Sequence, residues 1–223
     1  TVRARTSLVG FKAHAAGPMP AGSEASLVMH ALSGGYIGVC PVDGGEINVC
    51  GVMPRRRLRA VRGNLAEAIR GWTADSGADQ PYFAIDRQPE SWHTMPEVAI
   101  QRSRPKLRGV LYVGDAMGTI EPLTGQGMTM ALASAHLAAA HLSAGAHLSA
   151  GRLGADRVVQ LSYEHAWRTQ FAATVRSSRW MGWLLRHPHV LSAMIATGRH
   201  VPGLLPRVLG AAHRRSLALA APR

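Results

Sequence analysis

Cysteine is scarce in this sequence. Cys40 and Cys50 are the only cysteines among 223 residues. Both lie in apolar runs, so we expect buried free thiols and no disulfide, as in a protein of the reducing cytoplasm. Two sulfurs make no metal site, and the residues after Thr1 lack the apolar stretch of a signal peptide.

Acidic residues and lysine are also few. The chain has 25 basic and 13 acidic residues, a formal net charge of +12, and its only lysines are Lys12 and Lys106. Such a balance can suit nucleic acid, an anionic membrane surface or an anionic ligand. The arginines are spread along the chain, with small clusters at residues 55–57 and 214–215, and no zinc-finger, helix-turn-helix or RNA-binding motif accompanies them. We therefore predict an arginine-rich solvated surface and no nucleic-acid partner.

Charge is absent altogether between Glu121 and Arg152. The stretch is long enough to span a bilayer, but it is rich in alanine, which gains little from lipid. We predict a weakly apolar helix packed inside the protein. His136, His141 and His147 would point in different directions on that helix, so we predict no metal site.

Short runs rich in β-branched and aromatic residues predict an antiparallel sheet in the first half. They cover residues 7–14, 25–32, 36–41 and 46–53, and Asp43-Gly44-Gly45 is a hairpin signal. Apolar residues at helical spacing predict a helix over residues 58–75, and residues 97–102 could form another strand.

The second half has a different pattern. Residues 110–113 form a continuous apolar run, as expected for a strand buried on both faces of a parallel sheet. A helix is predicted over residues 128–143, and a helical region from Arg152 onward with breaks at Pro188, Pro202 and Pro206. The predicted fold is α/β (α+β in this chain alone), with an antiparallel sheet and a helix over residues 1–105, a strand, loop and helix over 106–150 and a helical region over 151–223.

The segment after the predicted buried strand carries the most chemical information. The strand would bring Asp115 to the carboxyl edge of a sheet, where ligands of open α/β sheets bind, and its carboxylate can accept hydrogen bonds from sugar-like hydroxyls. Gly125-Gln126-Gly127 then opens a helix whose free N–H groups favour an anion or an electron-rich oxygen. This arrangement suits a polyol attached to a ring that gains negative charge, such as a reduced flavin.

This segment resembles the second FAD-binding motif of the flavoprotein superfamily that includes aromatic hydroxylases, flavin-dependent halogenases and geranylgeranyl reductase-like enzymes, and is most similar to the last branch. The resemblance implies FAD as cofactor. It also implies a substrate domain over residues 1–105 and a Rossmann-like FAD-binding domain, whose C-terminal part this chain holds over residues 106–150. Asp115 would bind the ribityl hydroxyls, Pro122 would line the isoalloxazine, and the amides of residues 125–128 would face its pyrimidine edge. The implied cofactor-binding residues are Gly114, Asp115, Pro122, Gly125, Gln126, Gly127 and Met128.

A second resemblance lies upstream. Residues 35–41 are similar to a strand with the pattern aromatic-x-aromatic-x-x-Pro that faces substrate in these enzymes. Tyr36 and Pro41 match the pattern, whereas Gly38 stands where an aromatic residue is usual. The resemblance implies an organic small-molecule substrate, with prenyl-type substrates among the candidates. No catalytic residue is assigned, because Lys12 and His14 are better explained as exposed strand residues.

The superfamily's opening Gly-x-Gly-x-x-Gly unit, which holds the FAD pyrophosphate, is absent from the sequence. We therefore expect this chain to be the C-terminal part of a cytoplasmic FAD-dependent oxidoreductase, either a reductase or a monooxygenase, with NAD(P)H as a candidate electron donor. The alternatives are a non-catalytic remnant and a peripheral membrane-binding module that uses the basic, Trp-containing helices of residues 179–199. The sequence indicates no oligomeric state.

Overall fold

A computed structural model describes residues 8–16, 19, 26–75, 92–98, 107–148 and 155–200. The chain divides into two compact units: one holds Thr1–Ala99 and Trp183–Ile195, the other Ile100–Gly182 and Ala196–Arg223. The fold is mixed α/β, as predicted. The first unit contains the sheet, and the second contains the segment with the flavin-motif resemblance.

The sheet of the first unit has five antiparallel strands. These are β1 (Leu8–Ala16), β2 (Val28–Leu32), β3 (Gly35–Pro41), β4 (Glu46–Pro54) and β5 (His93–Met95), in the spatial order β2-β3-β4-β1-β5. The first four confirm the predicted runs to within a few residues. The turn between β3 and β4 spans Asp43–Gly45 and holds Gly44 and Gly45 at φ 81° and 77°, left-handed values that favour glycine and make this hairpin signal reliable.

One helix was predicted over residues 58–75, but the structure has two. They are α1 (Arg55–Ala60) and α2 (Leu65–Asp75), and the turn between them places Arg62 and Gly63 at positive φ. The break has a local cause, since the Asn64 side chain accepts a hydrogen bond from the Glu67 amide at 3.1 Å and so caps the start of α2.

The core of the first unit lies between one face of the sheet and α2. Alternate residues of the strands supply the sheet side, and Leu65, Ala68, Ile69 and Trp72 supply the helix side. Trp72 is fully buried, and its indole N–H donates to the Ser33 carbonyl at 3.2 Å, which holds the β2–β3 turn against α2.

Long helices form most of the described part of the second unit. They are α3 (Gly127–Leu148) and α4 (Ala155–Leu185), and α5 (Pro188–His200) follows. The predicted break at Pro188 is therefore confirmed, whereas Pro202 and Pro206 lie outside the described residues. Tyr163, Trp167 and Phe171 of α4 pack with Met117, Ile120 and Met130 into this unit's core. None of the described helices is long and apolar enough to cross a membrane.

One predicted strand is corrected, and another lies mostly outside the described residues. Residues 110–113 form no strand, although Val113 has an extended backbone, and Val110 and Val113 are 39% and 38% exposed. A strand requires a hydrogen-bonded neighbour, and no described strand lies beside this segment. Glu97 and Val98 are also outside any strand, although the Val98 amide donates to the Leu8 carbonyl at 3.0 Å; residues 99–102 are outside the described residues.

Candidate flavin site

The segment before Asp115 is held by two side chains distant in sequence. The Tyr163 hydroxyl donates to the Tyr112 carbonyl at 2.6 Å, and the Ser134 hydroxyl accepts from the Gly114 amide at 2.8 Å. Both Tyr163 and Ser134 are fully buried. Gly114 has φ 55°, and a Cβ there would lie 3.1 Å from the Ala131 Cβ, so glycine fits both the backbone and the space against α3. The turn that presents Asp115 is therefore fixed from both sides.

Asp115 itself is presented to solvent. It is the central residue of a 3-10 turn over Gly114–Ala116, closed by bonds from the Met117 and Gly118 amides to the Gly114 carbonyl at 3.0 and 3.1 Å. Its side chain is exposed and has no hydrogen bond or ion pair with any residue that the structure describes. A carboxylate held on a fixed backbone with its oxygens unoccupied can accept hydrogen bonds from a ligand's hydroxyl groups.

The loop before α3 is a second 3-10 turn, Pro122–Thr124, which begins after the buried residue Glu121. The Thr124 hydroxyl donates to the Glu121 carbonyl at 3.0 Å, and the Gly125 amide donates to the Pro122 carbonyl at 3.0 Å. Gly125 ends the turn at φ 62°. Pro122 is exposed, so one face of its ring is available to a ligand.

The first turn of α3 has open donors. The Met130 amide is the first to bond back, to the Gln126 carbonyl at 2.9 Å, and no described group caps the amides of Gly127, Met128 and Thr129. A Cβ at Gly125 or Gly127 would have no atom within 4 Å, and Met128 is 81% exposed. Backbone N–H groups at the positive end of a helix of 22 residues can thus be approached closely by an electron-rich oxygen.

These features fit FAD at its flavin end. Three groups follow one another over residues 115–129. The Asp115 carboxylate suits the ribityl hydroxyls, the Pro122 ring suits the flavin ring, and the uncapped amides of α3 suit the oxygen edge of that ring. Helix α3 begins within one residue of its predicted start and runs to Leu148, five residues beyond its predicted end at 143. The assignment of Gly114, Asp115, Pro122 and residues 125–128 to the cofactor remains a prediction from the sequence, for which the geometry leaves room.

The predicted substrate residues lie in the other unit, on β3. Tyr36 and Gly38 share one face of the sheet, opposite to the core face that carries Ile37 and Val39, whereas Pro41 has the parity of the core face. The structure thus groups Tyr36 with Gly38 and separates Pro41 from them. Tyr36 is buried, and a Cβ at Gly38 would meet the Met29 sulfur at 3.0 Å, so Met29 occupies the space that a side chain at 38 would take.

Sequence reasoning missed the polar row beside Gly38. Cys50 of β4 is the direct partner of Gly38 and of Lys12, and Lys12 in turn pairs with His93. The Asn48 amide donates to both thiols on this face, at 3.5 Å to Cys50 and 3.7 Å to the sulfur of Cys40. Both cysteines are free thiols and both are half-buried, so the prediction that they are buried is corrected. Only strand register brings these residues together, so no local pattern could have found the row.

Comparison with known proteins agrees with the flavin motif. Residues 75–176 match the family model of squalene epoxidase. Among curated proteins, no sequence matches the chain.

Solved structures of flavoproteins share the fold. PqsL of Pseudomonas aeruginosa, a probable FAD-dependent monooxygenase, is 17% identical with a TM-score of 0.57 over 85% of this chain and 51% of its own. HpxO of Klebsiella pneumoniae, complexed with FAD and uric acid, is 17% identical with a TM-score of 0.59 over 95% and 53%. A geranylgeranyl bacteriochlorophyll reductase-like protein of Thermoplasma acidophilum is 18% identical with a TM-score of 0.60 over 82% and 45%.

These matches confirm the resemblance to the FAD-dependent oxidoreductase superfamily. At these identities the structural likeness shows the fold, and the chain spans about half the length of the solved structures that it matches.

Proposed function

We propose that this chain contributes the flavin-facing and substrate-facing parts of an FAD-dependent oxidoreductase. The observation that carries the proposal is the fixed Gly114–Asp115 turn followed by the uncapped start of α3. When bound, FAD supplies hydride or two-electron transfer with an organic substrate. The remaining work falls to residues of the protein, which bind, orient and shield the reacting groups.

Asp115 would orient the cofactor, because its carboxylate is exposed while the amide of the preceding residue, Gly114, is held in place by the Ser134 hydroxyl. The amides of Gly127 and Met128 would donate hydrogen bonds to an oxygen that becomes electron-rich, and the helix dipole of α3 would favour that charge. Pro122 would limit water at the ring because it offers carbon atoms and no N–H group.

On the substrate side, we propose an organic molecule with a hydrophobic body. Tyr36, Gly38 and Val52 form the apolar part of the second sheet face, with Tyr36 and Val52 only 3% and 2% exposed. The proposal includes geranylgeranyl reductase-like chemistry and monooxygenation as two outcomes, with NAD(P)H as electron donor for either. Oxygen uptake coupled to NAD(P)H oxidation distinguishes monooxygenation from substrate reduction.

The test is an FAD titration of the 223-residue chain, followed by flavin absorbance and fluorescence. We expect a shifted and quenched flavin spectrum, and we expect Asp115→Ala to weaken binding by about 10- to 100-fold, the effect of losing about 1.5–3 kcal/mol of charge-assisted hydrogen bonding. The matched control is Asp43→Ala, an exposed aspartate in the β3–β4 turn of the other unit.

Two results would count against the proposal. A folded chain that leaves the flavin spectrum unchanged contradicts the proposal that residues 114–128 bind the cofactor in this chain alone. Equal affinities for the unmodified chain and Asp115→Ala contradict the assigned site even if FAD binds.

A further inference from the structure

Three sulfur atoms lie around Gly38 on the face of the sheet opposite to the core. Cys50 of β4 is the direct partner of Gly38, and Cys40 lies two residues further along β3, on the same face. Met29 of β2 pairs with Gly38 from the other side. Its sulfur would lie 3.0 Å from a Cβ at position 38, so it occupies the space above the glycine. Two thiols and one thioether from three neighbouring strands, which we call the sulfur triad, therefore share one small area.

The Asn48 amide holds both thiols of the sulfur triad. Its nitrogen lies 3.7 Å from the Cys40 sulfur and 3.5 Å from the Cys50 sulfur, and it donates to both. Both cysteines are half-buried, which limits the water that competes for these hydrogen bonds. A donor that contacts two sulfurs also stabilises negative charge on them, so the amide prepares the pair to act as thiolates.

The strand register favours a shared metal ion over a disulfide. Cys40 and Cys50 are diagonal neighbours, and the Cα atoms of such neighbours are about 7–8 Å apart, whereas a disulfide usually joins Cα atoms about 4.4–6.8 Å apart. A metal ion stands between its ligands, so two bonds of about 2.3 Å, the length of a zinc–thiolate bond, join sulfurs that are too distant for a direct bond. Both cysteines are free thiols.

The ligand set selects the ion. Among the described residues, no group of three or more His, Cys, Asp and Glu side chains could hold a metal ion. Structural zinc sites take four ligands from such side chains, so two thiolates with a neutral thioether do not suit zinc. Thiolate and thioether sulfurs are soft and select Cu(I), which carries a single charge and accepts a low coordination number.

The local charges also suit a monovalent ion. Cu(I) would displace one proton from each thiol to solvent, which leaves a single negative charge on the ion and its two thiolates. Lys12 of β1 is the direct partner of Cys50, is exposed and forms no ion pair with any residue that the structure describes. Its ammonium group offsets that charge. Glu46, an acidic residue of the same face, lies 4.0 Å from His14 instead.

We propose that the sulfur triad binds one Cu(I) ion above Gly38. Its ligands are the thiolates of Cys40 and Cys50 and the thioether of Met29. The Asn48 amide positions both thiolates. Cysteine spacing in the sequence does not reveal this site, because its ligands come from β2, β3 and β4 and only the strand register brings them together. The site needs no flavin, so this inference is independent of the proposed cofactor.

The experiment is an anaerobic titration of the reduced 223-residue chain with Cu(I), in competition with the chromophoric chelator bathocuproine disulfonate. We expect the chain to withhold one equivalent of Cu(I) from the chelator, and we expect added zinc not to displace it. Cys40→Ser or Cys50→Ser should abolish this retention. Asn48→Leu should weaken the affinity by about 10- to 100-fold, the usual effect of removing a group that orients metal ligands.

A pair of methionine variants tests the thioether. Met29→Leu should lower the affinity for Cu(I), whereas the matched control Met95→Leu, which changes an exposed methionine of β5 on the same face, should leave it unchanged. Circular dichroism checks that each variant is folded. Retention of copper by Cys50→Ser, or equal affinities of the two methionine variants, would overturn the proposal. A folded, reduced chain that withholds no Cu(I) from the chelator would also overturn it.

Discussion

The contact between Tyr163 and the segment before Asp115 gives the most quantitative prediction. Tyr163 is 0% exposed, and its hydroxyl lies 2.6 Å from the Tyr112 carbonyl. Tyr163→Phe removes the donor and leaves that carbonyl without this partner. We expect the free energy of unfolding to fall by about 1–3 kcal/mol, the cost of leaving a buried polar group unsatisfied.

The same hydroxyl predicts a dependence on alkaline pH. Burial, and secondarily the charge of Glu164, raise the pKa of Tyr163 from 10 to about 12. The folded protein therefore holds this proton more tightly than the unfolded chain. The stabilisation is complete below pH 10 and is lost as the pH rises from about 10 to about 12, amounting to about 2–3 kcal/mol for a shift of this size.

The assay is urea unfolding followed by tryptophan fluorescence, at neutral pH and in steps above pH 10. Tyr112→Phe is the control, because it removes a neighbouring hydroxyl but keeps the carbonyl that Tyr163 contacts. The unmodified protein should lose stability faster than Tyr163→Phe through the alkaline range. Two results would refute the reasoning. One is a loss of unfolding free energy in Tyr163→Phe below about 0.5 kcal/mol at neutral pH, which is within the scatter of surface substitutions. The other is a pair of parallel pH profiles for the two proteins.

Three further predictions follow from local packing. Gly71→Ala should raise the free energy of unfolding by about 0.5–1 kcal/mol, since a Cβ there meets no atom within 4 Å inside α2; a decrease in urea unfolding would contradict this. Gly182→Ala should destabilise the protein by about 1–3 kcal/mol, because its Cβ would overlap the buried Glu121 carboxylate, and an unchanged urea midpoint would show that α4 yields easily. Burial raises the pKa of the Cys50 thiol, although the Asn48 hydrogen bond acts in the opposite direction. Alkylation of Cys50 in a Cys40→Ser variant should therefore reach half its maximal rate at a higher pH than alkylation of free cysteine. A midpoint at or below that of the free amino acid would disprove this prediction.

Elements that local chemistry specifies could be predicted from the sequence. The β3–β4 hairpin depends on Gly44 and Gly45, whose left-handed backbone is favoured by glycine, and the strands on either side alternate between a core face and a second face. The start of α3 is set by Gly125-Gln126-Gly127 in the same way. These signals lie within a few residues of the structure that they predict, so no distant partner is needed to read them.

Other features depend on partners distant in sequence. Residues 110–113 have the composition of a buried strand, but a ladder depends on neighbours that composition cannot specify, and the segment is instead held by Tyr163. The predicted helix over residues 58–75 is two helices, because the Asn64 side chain caps the start of the second one. The prediction followed the apolar spacing and gave too little weight to this polar residue.

The sequence by itself determined the resemblance to an FAD-binding motif, because Asp115, Pro122 and the glycines of residues 125–127 are neighbours in the chain. Only the tertiary structure decided which residues fix that motif and which share a face with Tyr36. The Ser134 hydroxyl accepts a hydrogen bond from the Gly114 amide, which is 20 residues away in sequence. Cys50 lies beside Gly38 because the register of β3 and β4 pairs them. A local pattern records backbone preference and spacing, whereas a contact between distant residues exists only once the free energy of packing has brought their elements together.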